Sequence, residues 1–232
     1  MKKNIYAVAC LLVAMRVQAG VILSNPSSVP TEHITISQLT HDGVNLQSRH
    51  KTLTTDWKGI GQAFTWNTSD ALDGVGMYIE AATFSTDQQH WFILSQLNGN
   101  GGPVTNTQYQ QEFTMSTANV GAEQWIYFDI DDQAMVDGGY YAITVIATEA
   151  AVSGGNIISW ACSGDNSYYT GGEANQIDAF VRGVPPSSSH DFATSANRDT
   201  VFYLQTIPEP TTLGLLSLSM CGILGFRRIF KT

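Results

Sequence analysis

Short runs that alternate apolar and polar residues are the feature that most limits how this chain can fold. A period of two places one set of side chains on a buried face, as in a β-strand. The runs are rich in Ile, Val, Thr, Tyr, Phe and Trp, and turns rich in Gly, Asn, Asp and Ser separate them. They cover residues 34–39, 61–66, 75–82, 90–97, 124–130, 140–148, 157–162, 177–181 and 200–206.

Between its two ends, the chain shows no window with the 3.6-residue period of an amphipathic helix. Strands without helices predict an all-β domain over residues 20–206, an antiparallel β-sandwich of jelly-roll-like type. Cys162 is the only cysteine in that range, so no disulfide within the domain is expected. Hydrophobic burial therefore has to hold the core together.

Residues 1–19 have the pattern of a signal peptide. Lys2 and Lys3 precede an apolar run over 5–15, which is too short to span a bilayer by itself. Small or modest side chains before Gly20 predict cleavage between Ala19 and Gly20. An uncleaved N-terminal anchor is the alternative.

The last 26 residues, 207–232, form a tail of three parts. Pro208, Glu209 and Pro210 come first, an uncharged apolar run follows over 211–226, and a basic end over 227–231 contains Arg227 and Arg228. A helix of 16 residues rises about 24 Å, somewhat less than the roughly 30 Å hydrocarbon core. The run is predicted to be a transmembrane helix, with the basic end cytoplasmic and the domain outside.

This order of motif, helix and basic end resembles the PEP-CTERM sorting domain, the signal that exosortases recognise. The resemblance covers about the last 25 residues and implies cleavage near Pro208, Glu209 and Pro210. It also implies a route through the general secretory machinery and a transient stay in the inner membrane. The expected destination is the cell surface or extracellular matrix, where exopolysaccharide is a candidate partner. A plain single-pass anchor is the alternative.

The charge of the predicted domain excludes some partners. Residues 20–206 contain five basic and 19 acidic residues, so their formal charge is −14. Such a surface repels nucleic acid and anionic lipid headgroups, and it can attract divalent cations.

No catalytic motif stands out in the sequence. The five histidines are scattered without metalloprotease spacing, and no serine-hydrolase elbow or nucleotide-binding glycine pattern occurs. Cys162 is expected to be buried beside Trp160. The chain is therefore predicted to be non-catalytic, without a cofactor.

An acidic cluster leaves two alternatives open. Asp129, Asp131 and Asp132 lie at a predicted strand end, and alternation places Asp129 and Asp131 on the same face. A carboxylate pair is what a glycosidase needs, so the alternative function is a secreted glycan-active enzyme on a jelly-roll scaffold. Carboxylates also bind Ca²⁺, which makes these residues the candidate metal ligands.

Exposed aromatic residues are the candidates for glycan binding, because sugar C–H groups stack on aromatic faces. Trp57 lies in a polar stretch, and Tyr168 and Tyr169 lie in a Gly/Asn/Ser loop. The other four tryptophans lie in apolar runs and are predicted to pack in the core: Trp66, Trp91, Trp125 and Trp160.

Overall fold

A computed structural model of the chain describes residues 21–50, 57–83, 87–116, 120–147, 157–164, 171, 174–178 and 198–207. For residues 44–50, 57–58, 83, 147, 157 and 174–178, it describes the backbone only. The signal peptide, the cleavage position at Ala19 and Gly20, and the tail from Pro208 onward lie outside these ranges. Within them, no helix has the length and apolar character needed to cross a membrane.

Thirteen β-strands make up the described part of the chain. They are β1 (Ile22–Ser24), β2 (Ile34–Gln38), β3 (Val44–His50), β4 (Trp57–Thr65), β5 (Ala71–Thr83), β6 (Gln88–Leu97), β7 (Val104–Met115), β8 (Gln124–Gln133), β9 (Tyr140–Ala147), β10 (Ile157–Ser163), β11 (Ala174–Asp178), β12 (Asp199–Thr200) and β13 (Phe202–Ile207). The prediction of an all-β domain is confirmed.

Antiparallel pairing joins the strands in the order β1-β8-β5-β10-β3-β4-β9-β6-β7. β13 pairs with the first half of β5 and with β2, while β11 pairs with β4. We call β1, β8, β5, β13, β2 and β10 the β5 half, and β4, β11, β9, β6 and β7 the β9 half. β3 joins the two halves, because it pairs with β10 on one side and β4 on the other.

The two halves share one hydrophobic core. Phe128 of β8 contacts Phe92 of β6, with ring centroids 5.0 Å apart, and Phe113 of β7 at 5.4 Å. Each of these side chains is at most 6% exposed. Two sheet halves packed face to face around aromatic and aliphatic side chains are consistent with a β-sandwich.

A buried polar side chain links the halves near the end of the described chain. The amide oxygen of Gln62, on β4, accepts hydrogen bonds from the Thr200 backbone N–H at 2.8 Å and the Thr200 hydroxyl at 2.9 Å. Both residues are fully buried, and β12, which contains Thr200, pairs with β10. These bonds satisfy groups that would otherwise be costly to bury.

Some strands differ from the sequence prediction. β1, β3 and β7 were not predicted, and β4 begins at Trp57 rather than at residue 61. β7 departs from alternation because its pairing with β6 shifts register twice, between Leu94 and Ser95 and between Gln96 and Leu97. A β-bulge changes which residues share a face, so the period of two is lost there.

Candidate functional site

Four aromatic side chains lie together on the face of the β5 half that points away from the core. On β8, Ile126 and Phe128 face the core, so Trp125 and Tyr127 face outward. Tyr78 on β5 and Tyr203 on β13 lie on the same outward face, since their strand neighbours are core residues. We call Tyr78, Trp125, Tyr203 and Tyr127 the aromatic strip.

The rings of the strip contact one another in sequence. Tyr78 and Trp125 are 5.3 Å apart between centroids and pack edge to face. Trp125 and Tyr203 are 5.1 Å apart, and Tyr203 and Tyr127 stack at 6.1 Å with 14° between their planes. Tyr203 is fully buried by its neighbours, while the other three side chains are half-buried. The rings therefore form a continuous row of contacts, and the accessible aromatic surface comes from Tyr78, Trp125 and Tyr127.

Two glycines on β5 allow the rings to lie flat across the sheet. A Cβ at Gly74 would lie 2.1 Å from the Tyr127 hydroxyl, and a Cβ at Gly76 would lie 2.0 Å from the Tyr203 ring. Gly76 is the register partner of both tyrosines, one on each neighbouring strand. The missing side chains on β5 create the space that the rings fill.

A cavity of about 620 Å³ opens at the Tyr78–Trp125 end of the strip. This volume is within the range of roughly 300–1,000 Å³ that is usual for small-ligand sites. The aromatic side of the cavity is formed by Tyr78 and Trp125. The remaining lining residues are Asn25, Pro26, Ser27, Ser28, Val29, Glu123 and Gln124.

Glu123 has an unusual backbone conformation at this cavity. Its φ is 55°, in the left-handed region that non-glycine residues rarely adopt. Its backbone N–H donates a hydrogen bond to the Glu80 carbonyl oxygen at 3.2 Å, which ties the turn before β8 to β5. Strained residues of this kind tend to occur at binding sites. Its carboxylate is the only charged group among the described residues that line the cavity.

Carboxylates gather at the other end of the strip, around Tyr127. Asp73 occupies a β-bulge, because the pairings of β5 with β8 and with β13 both shift register between Leu72 and Gly74. The Tyr127 hydroxyl donates a hydrogen bond to Asp73 Oδ2 at 3.2 Å. Gly74, next to Asp73, is the register partner of Asp129.

Two of these carboxyl groups have a raised pKa. Burial raises the pKa of Asp73, and the nearby Asp129 and Asp132 add to the rise, although the Tyr127 hydrogen bond opposes it. Burial also raises the pKa of Asp129, with further contributions from Asp131 and Asp132. Like charges close together disfavour ionisation, and so does partial burial of a carboxyl group. No local sequence signal indicates this cluster, since Asp73 is more than 50 residues from Asp129 along the chain.

The structure places several of the predicted site residues. The outward faces of Asp129 and Asp131 agree with the alternation of β8, with Asp129 exposed and Asp131 half-buried. In the described ranges, no three His, Cys, Asp or Glu side chains form a group able to hold a metal ion. Calcium binding by Asp129, Asp131 and Asp132 stays a prediction.

The predicted glycan-binding residues are less well described. Trp57 is the first residue of β4, and only its backbone is described. Tyr168 and Tyr169 lie outside the described residues, as do the sorting residues Pro208, Glu209, Pro210, Arg227 and Arg228.

The core prediction for the tryptophans needs one correction. Trp66 and Trp160 are fully buried in the main core, and Trp91 packs against a smaller cluster around Ile93. Trp125 belongs to neither cluster. It precedes the core residue Ile126 on β8, so alternation along the strand makes it face outward. The alternation that placed Asp129 and Asp131 outward also places Trp125 there, so the sequence contained this signal.

The prediction for Cys162 is confirmed. Cys162 is fully buried on β10, and its Sγ donates to the Trp160 carbonyl oxygen at 3.5 Å. A substrate cannot reach a fully buried thiol, so Cys162 is not placed to act as a nucleophile.

Comparisons with known proteins give a distant likeness. No protein-family model matches the chain, and no curated protein matches it. A solved structure of the clostridial cysteine protease Cwp84 after propeptide cleavage is similar at 15% identity and a TM-score of 0.47, over 78% of this chain and 42% of that one. A second covers the cysteine protease and lectin-like domains of Cwp84, a surface layer associated protein of Clostridium difficile, at 13% identity and a TM-score of 0.40.

The second likeness covers 72% of this chain and 37% of that one, so the chain spans less than half of either structure. The prediction that this chain is not an enzyme is contradicted, because the structures found belong to a protease. Missing sequence motifs do not exclude catalysis, since folding can bring catalytic groups together from distant positions. The likeness assigns no reaction and no catalytic residue to this chain.

Proposed function

We propose that this chain is an exported protein of the cell surface or extracellular matrix that binds polysaccharide on its aromatic strip. In this proposal, the signal peptide is cut between Ala19 and Gly20, and an exosortase processes the tail near Pro208, Glu209 and Pro210. The domain delivered is a jelly-roll-like β-sandwich. The tail motif and the signal pattern support the route, and the strip supports the activity.

The strip is the single observation that carries the binding proposal. Aromatic faces attract sugar rings because the C–H groups of the sugar meet the electron-rich ring face. Trp125 and Tyr78 are half-buried, and both line the cavity. Amide and hydroxyl side chains around the same cavity, from Asn25, Ser27 and Gln124, are suited to hydrogen bonds with sugar hydroxyls.

The Trp125→Ala variant of the full chain tests this proposal. Removing the ring should weaken binding about tenfold or more, since roughly 1.4 kcal/mol of stacking and burial corresponds to a factor of ten. Affinity electrophoresis in gels containing soluble cellulose derivative, glycol chitosan, xylan or mannan measures retardation directly.

Tyr140→Ala is the matched control, because Tyr140 is an exposed aromatic on β9 with 38% of its surface accessible. It should be retarded as strongly as the parent chain, and both variants should melt cooperatively. Equal retardation of the Trp125 variant and the parent, or no retardation of the parent in any gel, would contradict the proposal.

A second candidate function is hydrolysis of the bound polysaccharide. The observation that favours it is the grouping of carboxyl groups around Tyr127, where burial and neighbouring charges raise the pKa of Asp73 and Asp129, because glycoside hydrolysis uses two carboxyl groups in different environments. Reducing sugar released from each polysaccharide by the parent and by Asp129→Asn tests this candidate. Activity lost in the variant supports it, and no release by the parent rejects it.

A further inference from the structure

The cavity beside Trp125 has a chemical character that narrows the sugar it can take. Its lining residues contain one carboxylate, from Glu123, and no basic side chain among the described residues. The surrounding domain, residues 20–206, has a formal charge of −14. The potential in a cleft with these surroundings is negative, so it favours a cation over an anion.

The aromatic side of the cavity acts in the same direction. The faces of Trp and Tyr rings attract cations through their quadrupole, and Trp does so most strongly. Trp125 and Tyr78 form this side, and the segment from Asn25 to Val29 also lines the cavity. A ligand that combines a sugar C–H face with a positive charge would use both the rings and the carboxylate.

The backbone at Glu123 is fixed in a way that serves such a ligand. Its left-handed φ of 55° and the hydrogen bond from its N–H to Glu80 set the position of the residue at the start of β8. Strand β8 then places Trp125 two residues later at the same cavity. The Glu123 carboxylate and the Trp125 indole therefore belong to one short segment at the cavity, and a backbone hydrogen bond fixes the start of that segment.

We propose that this cavity binds an amino sugar with a free, protonated amine. The ammonium group pairs with the Glu123 carboxylate, and the C–H face of the sugar stacks on Trp125. N-Acetylation removes the positive charge, so the acetylated sugar loses the charge-assisted contact with Glu123. A uronic acid is repelled by the same carboxylate. The inference rests on the proposed function and specifies its ligand class.

Isothermal titration of the purified full chain with defined hexasaccharides tests this inference. The probes are β-1,4-linked hexamers of glucosamine, N-acetylglucosamine and glucose, together with a galacturonic acid hexamer. The parent chain should bind the glucosamine hexamer at least tenfold more tightly than the acetylated one and bind the acidic one least. Glu123→Gln should reduce that ratio to below threefold.

A control separates a specific contact from general attraction to an acidic protein. Asp137→Asn removes the same charge from an exposed turn and should keep the parent's preference. If Asp137→Asn loses the preference as Glu123→Gln does, or if the parent shows no preference for the free amine, the inference is wrong. Polylysine binding as tight as the glucosamine hexamer would also overturn it.

The same titrations distinguish failure of the inference from failure of the proposed function. If the parent binds the neutral hexamers equally and Trp125→Ala abolishes binding, the strip binds glycan but has no selectivity for amines. If the parent binds none of the hexamers, the proposed binding function is contradicted as well.

Discussion

At the residue scale, the aromatic strip depends on a residue that has no side chain. Gly76 lies between the two register partners Tyr127 and Tyr203, and the Tyr203 ring occupies the space where a Cβ would be. A sequence shows a glycine in a strand but not which ring covers it. This contact joins strands that are more than 120 residues apart along the chain, so local pattern could not reveal it.

Gly76→Ala should destabilise the domain by about 1–3 kcal/mol, the usual cost of overpacking. The new methyl group meets one edge of a buried ring rather than the end of a flexible side chain. Urea unfolding measures the loss. In a Tyr203→Ala background, the same change should cost close to nothing, because the ring is gone and the two sites are coupled.

Gly121→Ala is the control for this comparison of Gly76→Ala with and without the Tyr203 ring. A Cβ at Gly121 would lie 3.2 Å from the side-chain oxygen of Gln124, which can move aside. Its cost should stay well below that of Gly76→Ala. An equal cost of Gly76→Ala with and without the Tyr203 ring would show that the ring does not fill this space.

At the element scale, β6 contains a buried histidine that links stability to pH. His90 is 1% exposed, stacks on Phe113 of β7 at 5.7 Å, and donates from Nδ1 to the Gln88 carbonyl oxygen at 3.3 Å. Burial lowers the pKa of His90 from 6.5 to about 4, because the charged ring would lose its hydration.

The sign of the pH effect follows from proton uptake. Between pH 6.5 and about 4, the unfolded chain binds a proton at His90 that the folded chain does not. Stability therefore falls as pH is lowered through this window, by up to about 1.4 kcal/mol per pH unit. His90→Leu should remove this contribution, which urea unfolding at pH 6.5 and pH 5 measures as a shallower slope.

Ile93→Val is the control, because Ile93 lies on the same strand, is fully buried and has no titratable side chain. Its stability should fall between pH 6.5 and pH 5 as steeply as that of the parent. A slope for His90→Leu equal to the parent's would mean that the folded chain protonates His90 as readily as the unfolded chain.

Strand patterns predicted most of the elements and part of the site. The alternation in β8 was enough to place Asp129 and Asp131 outward, and the same rule places Trp125 outward as well. The 12-residue strand β7 was missed because its two register shifts break the pattern and its middle is rich in Thr and Gln. The cluster of Asp73 with Asp129 could be predicted only from the pairing of β5 with β8, and no local sequence pattern specifies that pairing.

At the scale of the whole molecule, the proposed localisation and the proposed binding function rest on different parts of the chain. The proposed localisation rests on the two ends of the chain, residues 1–19 and 207–232, which have sequence motifs but, apart from Ile207, lie outside the described structure. The proposed binding function rests on the outward face of the β5 half, where the structure shows the aromatic strip and the cavity but the sequence has no motif. Each proposal can therefore fail without the other.

Amide hydrogen exchange of the full chain, with and without glucosamine hexamer at saturating concentration, tests the binding face most directly. Slowed exchange should appear in the segment from Asn25 to Val29 and at the start of β8, from Glu123 to Tyr127. The amides of β6 and β9, in the other half, should exchange at an unchanged rate. Protection confined to the β9 half, or saturable binding without protection at Trp125, would contradict the account.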